Sequence, residues 1–136
     1  MDFVYKRKIN YYETDKMGIV HHSNYIRFLE ECRCIWLEEL GMPMAEFEKQ
    51  GVTIPTLEVN CKYKHHVTAG DVIVIRPIMA EFNGVRMTVE YEVINEANGE
   101  VVIEASTKHC FTNMQLRPVN LKKHNEVFFN KFKGLL

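Results

Sequence analysis

Cysteine is scarce and scattered. Cys32, Cys34, Cys61 and Cys110 form no C-x-x-C pair and mostly occupy apolar positions. This excludes a disulfide framework and reads as reduced thiols. No apolar run is long enough to span a bilayer, and the opening MDFVYKRKIN lacks the pattern of a signal peptide. A cytoplasmic protein without stable membrane insertion is expected. The formal net charge is only −1, so bulk electrostatics gives no footing for nucleic acid. There is no P-loop, dinucleotide fingerprint, nucleophile elbow or zinc ligand set. The histidine pairs His21-His22 and His65-His66 are adjacent in sequence, so their side chains diverge on regular structure and no metal site is expected. Internal repeats, linkers and low-complexity tracts are also missing.

What is present suits one globular domain over residues 1–136: 46% of residues are apolar and 26% charged. The stretch Tyr11–Arg33 organises the rest. Asp15 stands on a loop, followed by a joint at Gly18, the apolar pair Ile19-Val20, and His21-His22. A helix then carries apolar residues at Tyr25, Phe28, Leu29, Cys32, Trp36 and Leu40. These steps of three and four mark one buried face. Ser23 or Asn24 is expected to cap its start. A loop thus delivers a carboxylate toward a helix N-terminus, where free N–H groups favour negative charge developing on a carbonyl oxygen.

Upstream, Phe3, Tyr5, Ile9 and Tyr11 alternate with Val4, Lys6, Lys8 and Asn10, a half-buried strand with Arg7 as an inward exception. Gly41 and Pro43 stop the long helix, and a helical turn is expected between Met44 and Gly51. Four strands follow. Leu57, Val59, Cys61 and Tyr63 alternate with Glu58, Asn60, Lys62 and Lys64. A turn at 68–71 leads into Val72–Phe82, where Pro77 implies a bend or an edge. Asn83-Gly84 and Asn98-Gly99 mark hairpins. Met87, Val89, Tyr91 and Val93 alternate with Thr88, Glu90 and Glu92. The last strand carries Val101, Ile103 and Ala105 inward and runs to about Met114. In the tail, Phe128, Phe129 and Phe132 pack down from a short helix. A curved antiparallel sheet around one long helix, an α+β arrangement, buries the helix's apolar stripe and one sheet face, leaving the other face polar or in a subunit contact. Its exposed edge calls for a partner, so ligand sites at a subunit interface are expected.

The run Tyr12-Glu13-Thr14-Asp15, Gly18-Ile19-Val20, His22, Asn24-Tyr25, Glu30 and Arg33 resembles the signature of hotdog-fold acyl-CoA thioesterases. Among these it resembles the 4-hydroxybenzoyl-CoA thioesterase-like branch, including small thioesterases associated with the Tol-Pal envelope system. The resemblance covers nearly the whole chain in element order. It implies hydrolysis of a CoA thioester by a homodimer or homotetramer, with no metal or redox cofactor. It puts the catalytic acid at Asp15 and the carbonyl-polarising backbone N–H at His22. Gly18, Val20, Asn24 and Tyr25 then shape the substrate pocket. The chain departs from the family at His66, where a turn-shaping proline is usual.

The residues suit that chemistry. A thioester carbonyl is already activated, so one carboxylate and one oxyanion site suffice. Asp15 can attack the carbonyl or take a proton from water. Glu30 is the second candidate acid, with an ion pair to Arg33 as its structural role. CoA phosphates call for cations near the mouth: Lys64 and His65, with Lys62, His66 and Lys108 as further candidates. Three other readings fit the same fold: hydrolysis of carrier-protein thioesters, dehydration, and non-catalytic binding of acyl-CoA in a larger assembly.

Overall fold

One helix sets the architecture, because its apolar stripe must be covered. The helix α1 (His22–Glu39) buries Tyr25, Phe28, Leu29, Cys32, Trp36 and Leu37. The computed structural model describes residues 3–136. Around that stripe curves an antiparallel sheet of β1 (Tyr5–Lys8), β2 (Thr56–Tyr63), β3 (Val72–Phe82), β4 (Arg86–Asn95) and β5 (Val101–Cys110). The strand order is β1-β3-β4-β5-β2. Short helices α2 (Met44–Lys49), α3 (Leu121–His124) and α4 (Glu126–Lys133) close the ends. This is the α+β hotdog fold, with one apolar cluster joining helix and inner sheet face.

Strand β4 follows its alternation: Met87, Val89, Tyr91 and Val93 are all buried. Pro77 sits in β3 beyond Val72–Ile75, the part that β1 covers, so its missing N–H costs no ladder bond. At the β3–β4 turn the Asn83 side-chain oxygen accepts the N–H groups of Val85 (2.9 Å) and Arg86 (2.8 Å). Gly84 there has φ +89°, and a Cβ would meet Asn120 Oδ1 at 2.8 Å, so the hairpin and the tail close on each other. Phe128 and Phe132 are buried as expected, with Phe47, Phe82 and Phe111 packed around them.

Several expectations need correction. Tyr11 is 85% exposed, because β1 ends at Lys8 and a 3-10 turn over Tyr11–Glu13 resets the phase. Strand β5 stops at Cys110. Val101 is exposed and Val102 buried, because the ladder slips a residue between Val93 and Ile94. The helix cap is neither Ser23 nor Asn24 but His21, whose ring accepts the Ser23 N–H. Leu37 takes the buried position expected of Leu40, which is the C-cap. Glu30 is exposed and does not pair with Arg33.

Arg33 instead begins a chain of polar groups through the core. Its Nη1 donates to the Tyr91 hydroxyl at 3.0 Å. Since a guanidinium only donates, Tyr91 passes its own hydrogen to Thr107 Oγ1, 2.8 Å away. Thr107 then meets His109 Nε2 at 2.7 Å, and His109 Nδ1 lies 3.3 Å from Thr56 Oγ1. His109 is 1% exposed. Burial, followed by the charge of Arg33, pulls its pKa down to about 4. The unfolded chain therefore takes up a proton below the ordinary histidine pKa while the folded chain does not. Stability should fall as pH drops from about 6.5 toward 4, by about 3 kcal/mol in all. Melting temperatures between pH 6.5 and 5, above most carboxylate titration, should show the loss in wild type and little of it in His109→Gln.

Candidate active site

The site begins with an ion pair that sequence reasoning treated only as an exception. Arg7 donates to both Glu13 carboxylate oxygens, at 2.5 and 2.6 Å, and to Glu31 at 3.1 Å. Its guanidinium lies 4.5 Å from the centre of the Phe28 ring on α1. The Asn10 N–H adds a bond to Glu13 at 2.8 Å. Burial pushes the Glu13 carboxyl up, but Arg7 and Asn10 outweigh it and hold the group below the usual carboxylate range. Fixed in this way, Glu13 presents its backbone carbonyl to the helix start. That carbonyl accepts the His21 N–H at 3.0 Å and the Asn24 side-chain amide at 2.8 Å.

From Glu13 the chain makes a closed loop. Thr14 bridges to Val20, and the Asp15 N–H donates to the Ile19 carbonyl at 2.8 Å. Asp15 Oδ1 accepts the Met17 N–H at 2.8 Å, and Gly18 turns the chain at φ +81°. Asp15 thus caps its own turn with one carboxylate oxygen. The other has no partner among the described residues.

At the helix start two of the free amides are already engaged. The Ser23 N–H goes to His21 Nδ1 (3.2 Å) and the Asn24 N–H to the His21 carbonyl (2.9 Å). The Tyr63 hydroxyl donates to the His22 carbonyl at 3.2 Å. The His22 N–H has no partner among the described residues. It stands at the positive end of an 18-residue helix.

Asp15 and His22 open onto one cleft of about 320 Å³. Val20 and Tyr25 line it, together with Lys64 and His65. Burial pushes the Tyr25 hydroxyl up to about 12, so it stays neutral. Gly18 does not line the cleft and acts through the turn. Asn24 does not line it either, its side chain being held by Glu13. His65 is partly engaged, with Nδ1 2.8 Å from the Val101 carbonyl and Nε2 3.8 Å from Glu100. Lys62 lies in a separate hollow on the outer sheet face, Lys108 pairs with Glu58 at 3.6 Å, and Glu30 is outside the cleft.

Sequence reasoning missed Tyr63 as a site residue. Its ring lies edge-on to His22 (centroids 6.4 Å apart) and tilted against Tyr25 (5.7 Å). The available signal was an aromatic on the apolar phase at the end of the strand that alternates from Leu57 to Lys64. Met17, Ile19 and His66 complete the wall. Among the described residues, no group of three His, Cys, Asp or Glu is placed to hold a metal ion.

A carboxylate and an unused helix-terminal amide in one cleft can act together on an acyl carbonyl. On a hotdog scaffold, that arrangement suits thioester hydrolysis. The chain belongs to the Thioesterase-like superfamily, whose sequence profile matches residues 9–129. It is 32% identical over 117 residues to a Bacillus subtilis protein named "Putative acyl-CoA thioesterase YneP", covering 85% of this chain and 84% of that one. An Aquifex aeolicus protein named "Putative esterase" is 37% identical over 110 residues, 81% of this chain and 84% of that protein. Among solved structures, the DHNA-CoA thioesterase of Staphylococcus aureus superposes with a TM-score of 0.91 at 26% identity, covering 96% and 88% of the two chains. Among the described residues no helix is long and apolar enough to cross a membrane.

Proposed function

We propose that this protein is an acyl-CoA thioesterase that uses Asp15 as its working carboxylate and the His22 N–H as its oxyanion donor. One observation carries this reading: among the described residues neither the His22 amide nor the second carboxylate oxygen of Asp15 has a hydrogen-bond partner, and both residues line one cleft. The thioester oxygen accepts from His22, and charge building there is met by the helix terminus. Asp15 either attacks the carbonyl, giving a mixed anhydride that water then opens, or takes the proton from an attacking water. Free acid and CoA leave.

Val20 and Tyr25 give the acyl group an apolar wall, with Gly18 and Asn24 shaping the loop and helix start around it. Lys64 and His65 supply positive charge for the CoA phosphates. The domain spans residues 1–136 and works in the cytoplasm as a homodimer or dimer of dimers, with the site where two subunits meet. Membership of the Tol-Pal-associated branch rests on the motif around Asp15.

The test is free-thiol release from short, long and aromatic acyl-CoAs, with the same acyl groups also offered on a carrier protein. Turnover of at least one CoA ester is expected, at a higher kcat/KM than its carrier-protein counterpart. The reverse preference would make the protein a carrier-protein hydrolase. Tight binding of CoA esters without turnover would make it a binding protein.

A further inference from the structure

Asp15 and His22 sit on different pieces of the chain, and the proposed hydrolysis needs them at a fixed separation. Asp15 rides on a lobe, residues 14–20, and His22 opens α1. The lobe is tied within itself. Thr14 bridges to Val20, the Asp15 N–H donates to the Ile19 carbonyl at 2.8 Å, and the Gly18 N–H donates to the Asp15 carbonyl at 2.9 Å. Bonds inside the lobe cannot set its angle to the helix. Its outward anchors run to the carbonyl of Tyr11, from the Thr14 hydroxyl (2.7 Å), and to that of Val67, from the Val20 N–H (3.0 Å). Neither anchor reaches α1.

The joint with α1 lies at Glu13 and His21, the residues that flank the lobe. The Glu13 carbonyl accepts from the His21 N–H at 3.0 Å and from the Asn24 side-chain amide at 2.8 Å, which uses both of its lone pairs. The first bond joins the two ends of the lobe. The second reaches past the joint to the third residue of α1. Among the described residues, Asn24 is the only side chain of the first helical turn that bonds to Glu13. Glu13 is a firm anchor. Arg7 grips its carboxylate, and Arg7 is held in turn by Glu31 at 3.1 Å and by the face of Phe28, both on α1. Residue 13 is thereby tied to the helix through its side chain and, by Asn24, through its backbone. We infer that Asn24 is a positioning residue, whose amide fixes the lobe carrying Asp15 against the helix whose first N–H is the proposed oxyanion donor.

The chemistry of the side chain fits this role. Polar residues at a helix start usually accept from a free N–H. Here His21 does that, and Asn24 is turned the other way, donating to a carbonyl outside the helix. An aspartate has the same shape but, ionised, would face the Glu13 carbonyl with a second acceptor. Asn24 does not line the cleft, so substrate contact is not its contribution. A misplacement of about 1 Å, caused away from the reacting atoms, can cost ~10² in rate. The side chains that would hold a CoA ester stand on the cleft wall and stay in place. Loss of Asn24 is therefore read in kcat and not in KM. The lock stands on geometry alone; its effect on rate rests on the proposed hydrolysis.

Kinetics and amide exchange test the lock together. Asn24→Ala should lower kcat for a CoA ester by ~10–100-fold and leave KM within about twofold. Asn24→Asp should lose rate as well but keep its melting temperature, since a carboxylate suits a helix N-terminus. Wild-type kcat in either variant would overturn the positioning role. In an Asp15→Asn background, Asn24→Ala should cost less than about twofold, because no carboxylate is left to aim. An undiminished cost there would overturn the role too. Exchange followed by NMR reads the joint without turnover. The His21 amide of Asn24→Ala should exchange about tenfold faster than in wild type, while the Asp15 amide, bonded within the lobe, keeps its protection. Unchanged exchange at His21 would overturn the lock, and equal gains at both amides would overturn the rigid lobe. A wild type that hydrolyses no thioester would refute the proposed function, and exchange at His21 would still decide the lock.

Discussion

Asp15→Asn should lower the rate of thiol release by ~10²–10⁴, the range for loss of a positioned acid–base group, with little change in melting temperature. The separation of the two effects comes from the loop. The carboxylate oxygen that accepts the Met17 N–H at 2.8 Å is replaced by an amide oxygen that accepts equally well. The turn therefore survives, while the charge and the proton-accepting oxygen on the other side are lost. Asp15→Ala removes the turn contact too, so it should lose stability as well as rate. Steady-state kinetics on a CoA ester, alongside thermal melts of both variants, measure this directly. Turnover at the wild-type level in Asp15→Asn would remove this residue from the chemistry.

Arg7→Ala should cost about 3–5 kcal/mol, as expected when one partner of a buried ion pair is removed. The side chains of Arg7 and Glu13 are only 16% and 7% exposed, so water cannot replace the lost guanidinium at Glu13. The pH dependence carries the sign. In wild type the Glu13 carboxyl is held below its ordinary value. Its stabilising share is thus complete above the ordinary carboxylate range and is lost as pH falls through the lowered value. Without Arg7, burial is opposed only by the Asn10 N–H, and protonation of Glu13 relieves the fold. The stability gap between wild type and Arg7→Ala should therefore narrow as pH falls. Denaturant unfolding at pH 7 and pH 4.5 reads the gap. A constant gap would mean that Arg7 stabilises by packing on Phe28 instead of through its charge.

The parts of the fold that were legible are those fixed by periodicity. Tyr25, Phe28, Leu29, Cys32 and Trp36 recur at helical spacing because one face must be buried. Met87 to Val93 alternate because one sheet face must be. What alternation leaves undetermined is who covers a face. Leu57 and Tyr63 were in inward phase on β2, and both are half-exposed in the single chain. The cap was misread for another reason. Ser and Asn are the usual acceptors at a helix start, but an imidazole with a neutral nitrogen accepts as well, and His21 stands one residue earlier. Asp15, Val20, His22 and Tyr25 were found together because a contiguous motif carries them, and they line one cleft. Tyr63 and Arg7, the partner of Glu13, come from other strands, and no local pattern links them to that motif.

The short loop around Asp15 has a consequence for how such a protein diversifies. Its neck is tied at Thr14–Val20 and Asp15–Ile19, and its base hangs from the Glu13 carbonyl. At the tip, Lys16 and Met17 are exposed, and Met17 is held through its backbone and not through its side chain. Natural variation can therefore exchange the side chain at 17, on the rim of the cleft, without moving the acid two residues away. Under the proposed hydrolysis, preference for one acyl group over another can drift at this position while Asp15 and the His22 amide stay in place.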